Sequence, residues 1–181
     1  MKTNRIFDPN AIWFILHTAI IVLLLITPTA CKKHHEHANK IDKQIVALRN
    51  ATDGFHDIAA AHKAGYIIPI PDNPRECLQD VRLGAMGYHF GNGSLRPDGK
   101  LNISNPEVLI YEPQVDGSFE LVGVEYVVPF SIRGKDKTPP KLFGHEFQQN
   151  ERFQVWALHV WAWRNNPSGL FANYNPDVSC I

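Results

Sequence analysis

The stretch that decides the fold is EVLIYEP (residues 107–113), QVDGS (114–118) and FELVGVEYVVP (119–129). Its two outer segments are rich in β-branched and aromatic residues, which favour strands, and the Asp-Gly pair between them is typical of a hairpin turn. Side chains alternate between the two faces of a strand. One face of the second segment is therefore made of Leu121, Gly123, Glu125 and Val127. Glu125 is a carboxylate on an otherwise apolar face.

A second strand is predicted near the carboxyl end, in VWALHVWAW (155–163). Alternation places His159 on one face with Val155, Ala157, Trp161 and Trp163, and the opposite face is apolar as well. A segment with two apolar faces is typical of a central strand covered on both sides, and a buried helix is the alternative. The valine and tryptophan content favours the strand.

GAMGYHFGN (84–92) predicts a further strand, in which His89 points away from its aromatic neighbours Tyr88 and Phe90. Residues 67–80 contain three prolines between Ile67 and Cys77 and are predicted to be an extended connector.

Apolar side chains recur at helical spacing over residues 41–66, with Gly54 inside the pattern and Gly65 as its stop. His62 lies on the apolar stripe of this predicted helix. The fold that follows is α+β: an N-terminal helix packed on a curved antiparallel β-sheet. A barrel-like closure of the sheet is the variant.

The amino end has the layout of a secretory signal peptide over residues 1–30: basic residues, an apolar run and then small residues. An uncleaved membrane anchor is the alternative. The sequence TPTAC, which ends at Cys31, resembles the cleavage box of bacterial lipoproteins, although Pro28 stands where that family usually has a branched aliphatic residue.

The lipoprotein resemblance implies that Cys31 is lipidated and that the protein is attached to a membrane through this anchor. Residues 31–40 would then be a polar tether, and residues 41–181 a single globular domain of ordinary length. The implied location is the bacterial cell envelope, either on the periplasmic side or at the outer membrane.

The chain has three cysteines, Cys31, Cys77 and Cys180. Lipidation of the first leaves an even pair in an oxidising compartment, which predicts a Cys77–Cys180 disulfide. Two unrelated buried thiols are the alternative.

The charge balance of the chain bears on whether it binds nucleic acid. The chain has 18 basic and 18 acidic residues, and without residues 1–30 it has 16 and 17. No basic patch stands out, so nucleic acid is not an expected partner.

A longer resemblance rests on four motifs: GAMGYHF, EVLIYEP, LVGVEYVVP and LHVWAWRNNPSGLFANYNPDVSC. They are similar to a family of uncharacterised, exported bacterial proteins, over roughly Phe55 to Cys180. The resemblance implies export and a single domain. It assigns no activity and no catalytic residue.

The sharpest site hypothesis is a metal centre made by His89, Glu125 and His159, with His62 or Glu112 as a further member. Two imidazoles and one carboxylate form a ligand set suited to Zn or non-haem Fe. The alternative is a buried histidine–carboxylate pair that stabilises the sheet and does no chemistry.

Two other functions remain open at this point. Trp161 and Trp163, with Glu112, are candidates to line a pocket for a small molecule, and the alternative is that these aromatics build the core. Glu112 and Glu125 lie on neighbouring predicted strands, an arrangement that glycoside hydrolysis uses. No G-x-S-x-G motif is present, and the sequence does not decide whether the protein is an enzyme.

Overall fold

The computed structural model describes residues 27–70, 77–95 and 98–181, with side chains from Ala38 onward within those ranges. The signal peptide predicted for residues 1–30 lies almost wholly outside the described residues, and so does the side chain of Cys31. The chain divides between Asp42 and Lys43 into two compact units. Within the described ranges, none of the helices is both long and apolar enough to cross a membrane.

The predicted helix is a longer helix followed by two shorter ones. Helix α1 spans Thr27–Thr52, a 3-10 turn follows at Asp53–His56, and α2 spans Ile58–Lys63. The first break falls at the 3-10 turn, which contains Gly54. The Asp57 side chain accepts a hydrogen bond from the backbone N–H of Ala59 at 2.9 Å and caps α2. Gly65, with a φ of 98°, ends this helical region as predicted.

Nine strands lie in the described part of the chain. They are β1 (Tyr66–Ile70), β2 (Leu78–Asp80), β3 (Gly84–Asn92), β4 (Val108–Pro113), β5 (Phe119–Pro129), β6 (Lys141–Leu142), β7 (His145–Glu146), β8 (Gln148–Asn150) and β9 (Val155–Val160). Seven of them form one sheet in the order β1-β3-β4-β5-β9-β8, with β2 also paired to β3, and β6 and β7 form a separate hairpin. All pairings are antiparallel. The large sheet stays open, so the α+β prediction is confirmed without its barrel-like variant.

The hairpin predicted from the opening stretch is β4–β5. The predicted central strand is β9, which lies between β5 and β8 and is buried at every position. A buried helix at this place is therefore excluded. In the β5–β9 pair, Glu125 lies directly opposite His159.

The helical region packs on one face of the sheet. The Tyr111 hydroxyl on β4 donates to the carbonyl oxygen of Phe55 at 2.7 Å, and the ring of His62 on α2 lies 5.5 Å from that of Phe90. At the end of α1, the indole N–H of Trp163 donates to Thr52 Oγ1 at 3.1 Å. Neighbouring strand residues point to opposite faces, so His89 faces away from these helices.

The carboxyl end is fastened to the sheet at several points. Cys77 and Cys180 form the predicted disulfide, with their Cα atoms 5.7 Å apart, so the alternative of two free thiols is excluded. Arg164 Nη2 donates to Glu112 Oε2 at 2.6 Å, and the backbone N–H of Ser179 donates to Glu112 Oε1 at 2.8 Å.

A bulge in β3 changes which side chains share a face. Gly87 has a φ of 87°, and a Cβ there would lie 2.5 Å from the carbonyl oxygen of Tyr111. The facing strand β2 shifts register at the same place, between Leu78 and Gln79. A bulge re-aims the side chains on either side of it. Met86 and His89, which regular alternation would separate, consequently border the same cavity.

Candidate metal centre

Three buried polar side chains meet on the face of the sheet that lies away from the helices. His89 comes from β3, Glu125 from β5 and His159 from β9, and each is at most 6% exposed. Nε2 of His89 lies 3.3 Å from Nε2 of His159. The Glu125 oxygens lie 4.0 Å from the first nitrogen and 3.8 Å from the second. The structure thus brings together the three residues that the sequence singled out.

The spacing suits a shared ion. One donor atom from each side chain can be chosen so that all three lie within 4.8 Å of one another. Two imidazole nitrogens bound to one Zn²⁺ at about 2.1 Å in tetrahedral geometry are about 3.4 Å apart, close to the separation of the two Nε2 atoms. The carboxylate-to-imidazole distances are longer than hydrogen bonds.

A cavity of about 20 Å³ borders the three groups. This volume holds one water molecule or one ion and little more. The rest of its wall is almost entirely apolar, consisting of Ile70, Leu78, Met86, Val127, Phe153, Val155 and the amide of Asn150. Low polarity around the donors strengthens any charge interaction between them and a cation.

Two wider depressions adjoin this cavity, with volumes of about 330 and 280 Å³. Met86 and Asn150 border both depressions and the cavity. These two side chains therefore lie where the cavity adjoins the two depressions, and His159 itself borders the second depression.

Both histidines are held in the neutral form. Burial lowers the pKa of His89 to about 4, against a smaller opposite effect of its hydrogen bond with Gly87. Burial and the neighbouring His89 lower the pKa of His159 to about 3, and Asn173 offsets a part of this. Neutral imidazoles have the lone pair that a metal needs, so metal binding at neutral pH requires no net loss of a proton from either ring.

The Nδ1 atoms of the two rings differ in their hydrogen bonding. Nδ1 of His89 lies 3.2 Å from the carbonyl oxygen of Gly87. Nδ1 of His159 is buried and makes no hydrogen bond with any of the described residues. Asn173 lies near enough to His159 to affect its pKa, but not in a geometry that gives Nδ1 a hydrogen bond.

His62 and Glu112, the further candidates from the sequence, do not join the three. The side chain of His62 is exposed and contacts Phe90 on the opposite face of the sheet. The helix pattern placed His62 on the buried stripe, but the break at Asp53–His56 resets the helical register, and Ala61 is the buried residue of α2. The carboxylate of Glu112 is bound by Arg164 and Ser179.

The two tryptophans predicted to line a pocket differ in burial, since Trp161 lies in the core and Trp163 is half-buried. Trp161 is 2% exposed, packs with Ala85 and Val178 among others, and donates its indole N–H to Ala172 O at 2.6 Å. Trp163 donates to Thr52 instead. Trp161 does border a surface depression of about 220 Å³, together with two arginines and no carboxylate. Glu112 is not part of its wall.

Sequence reasoning missed four residues near the three donors. Met86 and Asn150 escaped because a bulge and a short strand position them, and Asn173 because it lies in a loop. Glu107 was missed although it begins the opening stretch. It is 2% exposed, accepts a hydrogen bond from the backbone N–H of Val127 at 3.2 Å, and has its pKa raised to about 8, chiefly by burial.

Comparisons of the chain with protein-family profiles, with curated protein sequences and with solved structures return no match.

Proposed function

We propose that this protein binds a divalent transition-metal ion, Zn²⁺ or Fe²⁺, through His89, Glu125 and His159. The observation that carries the proposal is the small cavity among three buried donors whose spacing fits one shared ion. Three protein ligands leave at least one coordination position for water or another small ligand, as in catalytic metal sites.

The rival interpretation, a histidine–carboxylate pair with a purely structural role, fits the distances less well. Such a pair is joined by hydrogen bonds of about 2.7–3.2 Å. Here both carboxylate-to-imidazole distances are near 4 Å, although the two rings approach each other closely. The 3.3 Å separation of the two Nε2 atoms and the room beside the carboxylate are compatible with an ion bound among the three groups.

We further propose that the protein is exported and tethered in the bacterial cell envelope by a lipid on Cys31. The layout of residues 1–30 supports export, and the disulfide supports an oxidising compartment. In that compartment the protein would have access to envelope metal rather than to the cytosolic supply.

Metal analysis of the purified protein tests the binding proposal. The protein is stripped with a chelator and titrated with Zn²⁺, and with Fe²⁺ under anaerobic conditions, by calorimetry. We expect one ion per chain for the wild type. We expect no binding for His159→Gln and Glu125→Gln, which keep roughly the volume and polarity of the wild-type side chains.

His62→Gln is the matched control, because it makes the same substitution on the opposite face of the sheet. We expect it to bind as the wild type does. Failure of the wild type to bind either ion, or unchanged binding by both site variants, would contradict the proposal. Circular dichroism of each variant separates lost binding from lost folding.

A further inference from the structure

The hydrogen-bond pattern assigns the tautomer of each histidine in the ion-free site. A carbonyl oxygen only accepts, so Nδ1 of His89, which contacts the oxygen of Gly87, has the ring proton. The ring is neutral, which leaves Nε2 of His89 as an acceptor. The contact of 3.3 Å between the two Nε2 atoms then requires His159 to donate from Nε2. His159 is therefore protonated on Nε2, and its buried Nδ1 bears a lone pair.

Binding an ion demands a different tautomer of His159. Both Nε2 atoms must offer lone pairs to the ion, so His159 loses the proton on Nε2 and gains one on Nδ1. One N–H bond breaks and another forms through exchange with water, and the ring remains neutral throughout. His89 needs no such change. The ion thus also replaces the hydrogen bond between the two rings.

The new Nδ1–H of His159 needs an acceptor. Histidines that bind metals nearly always donate their other ring N–H to an oxygen, which fixes the ring orientation. This buried atom has no partner among the described residues, and a side chain that moves a short distance can supply one. Asn173 is a polar side chain close enough to raise the pKa of His159.

The surroundings of Asn173 suit this role. Its amide nitrogen donates to Gln148 Oε1 at 2.8 Å, which leaves its carbonyl oxygen as the group that can accept. Asn173, Gln148 and His159 border the same depression of about 280 Å³, which gives the side chain room to turn. Resting on the proposed metal binding, we infer that Asn173 is the positioning residue of the site, and that it accepts the Nδ1–H of His159 once an ion switches the tautomer of that ring.

Nitrogen NMR of histidine side chains tests the tautomer switch. Long-range ¹H–¹⁵N spectra of the wild type, labelled at histidine, distinguish protonated from unprotonated ring nitrogens. We expect His159 to have its proton on Nε2 without metal and on Nδ1 with Zn²⁺, while His89 keeps its proton on Nδ1 in both states. A His159 that has the Nδ1 proton before metal is added overturns the inference.

Variants of Asn173 test the positioning role. Asn173→Leu removes the acceptor at similar volume, and we expect a 10- to 100-fold loss of Zn²⁺ affinity, the usual cost of losing such a partner. Asn173→Asp supplies a stronger acceptor and is expected to bind at least as tightly as the wild type. Asn165→Leu, at an exposed position beside a different depression, is the control and should leave affinity unchanged.

The outcomes separate the two proposals. Zn²⁺ binding by the wild type together with Asn173→Leu affinity within twofold of it overturns the role of Asn173 and leaves metal binding intact. No binding by the wild type overturns both. If Asn173→Leu does not fold, then Asn173→Asp decides, because a loss of affinity in that variant contradicts an acceptor role.

Discussion

Two buried carboxyl groups, Glu107 just before β4 and Glu125 on β5, have different surroundings. Glu125 lies against two imidazoles and a small cavity, where a cation can balance its charge. Glu107 has a backbone N–H as its hydrogen-bond donor, and burial raises its pKa to about 8. Burial disfavours the charged form of a carboxyl group, so Glu107 is mainly protonated at neutral pH.

Glu107 makes the stability of the fold depend on pH. Its folded pKa lies above its unfolded value near 4.5, so the stability it contributes is present below about pH 4.5 and is lost as pH rises through 8. We expect Glu107→Gln, which keeps an acceptor for Val127, to remove a slope of up to about 1.4 kcal/mol per pH unit over this range. Urea unfolding from pH 5 to 8.5 measures it. If the free energy of unfolding changes with pH in the same way for the variant and the wild type, the prediction is contradicted.

At the residue scale, the sequence predicted on which face of its strand a side chain lies. It did not predict which residue of the neighbouring strand lies opposite. Alternation placed Glu125 and His159 correctly, because both strands are regular at those positions. Their direct pairing depends on a register that alternation does not determine. The His62 prediction erred for a similar reason, since a helical pattern holds only as far as the helix is continuous. Asn173 has no sequence signal, because it lies outside regular structure.

At the scale of elements, the bulge of β3 adds Met86 to the wall of the cavity beside the three donors. It turns Met86 toward the cavity that His89 already borders. Only a glycine fits this bulge, because the backbone φ is positive and the carbonyl of Tyr111 approaches closely. The bulge therefore helps to determine the geometry of the site.

Gly87→Ala should disturb both stability and metal binding. We expect a loss of about 3 kcal/mol or more, since the positive φ costs about 1 kcal/mol and displacing the β4 backbone adds to it. Gly117→Ala is the matched control, with a φ of 83° and nothing within 4 Å of an added Cβ, and we expect about 1 kcal/mol there. Thermal unfolding and Zn²⁺ titration measure both variants. Equal losses of stability in the two variants would show that the close approach of the Tyr111 carbonyl oxygen to Gly87 has no effect, and would contradict the prediction.

The sequence predicted the strongly patterned elements and missed the weakly patterned ones. The hairpin β4–β5 and the central strand β9 have dense apolar content over their whole length, which is a local signal. Strand β2 and all of β1 except Tyr66 lie within the segment predicted to be a connector. Proline argues against a strand in general, but Pro69 lies in β1, at one edge of the sheet, where its missing N–H can be tolerated.

At the scale of the molecule, the disulfide closes a loop across most of the sheet. Cys77 and Cys180 are 103 residues apart in the chain, and the bond fixes the carboxyl end beside β2. Cross-linking distant residues restricts the unfolded chain more than the folded one. The even pair of cysteines was enough to predict this bond from sequence, once an exported location was inferred.

Removing the disulfide should lower stability substantially. We expect Cys77→Ser/Cys180→Ser to lose about 4–5 kcal/mol, the amount that the chain-entropy model gives for a loop of this size. Urea unfolding of the variant and of the wild type with and without reductant measures it. Reductant should shift the urea midpoint of the wild type toward that of the variant, and it should leave the midpoint of the variant unchanged. A wild-type midpoint that does not respond to full reduction would contradict this prediction.

The order of the three donors along the chain has a consequence for biosynthesis. A polypeptide leaves the ribosome, or any pore through which it is threaded, with its amino end first. His89 and Glu125 emerge before His159, which lies on the last strand of the sheet. A chain in transit therefore lacks the complete ligand set until β9 has emerged and paired with β5. An ion that binds through all three side chains, as proposed, would be acquired where the chain finishes folding, and the metal supply of that place would then determine which ion the protein receives.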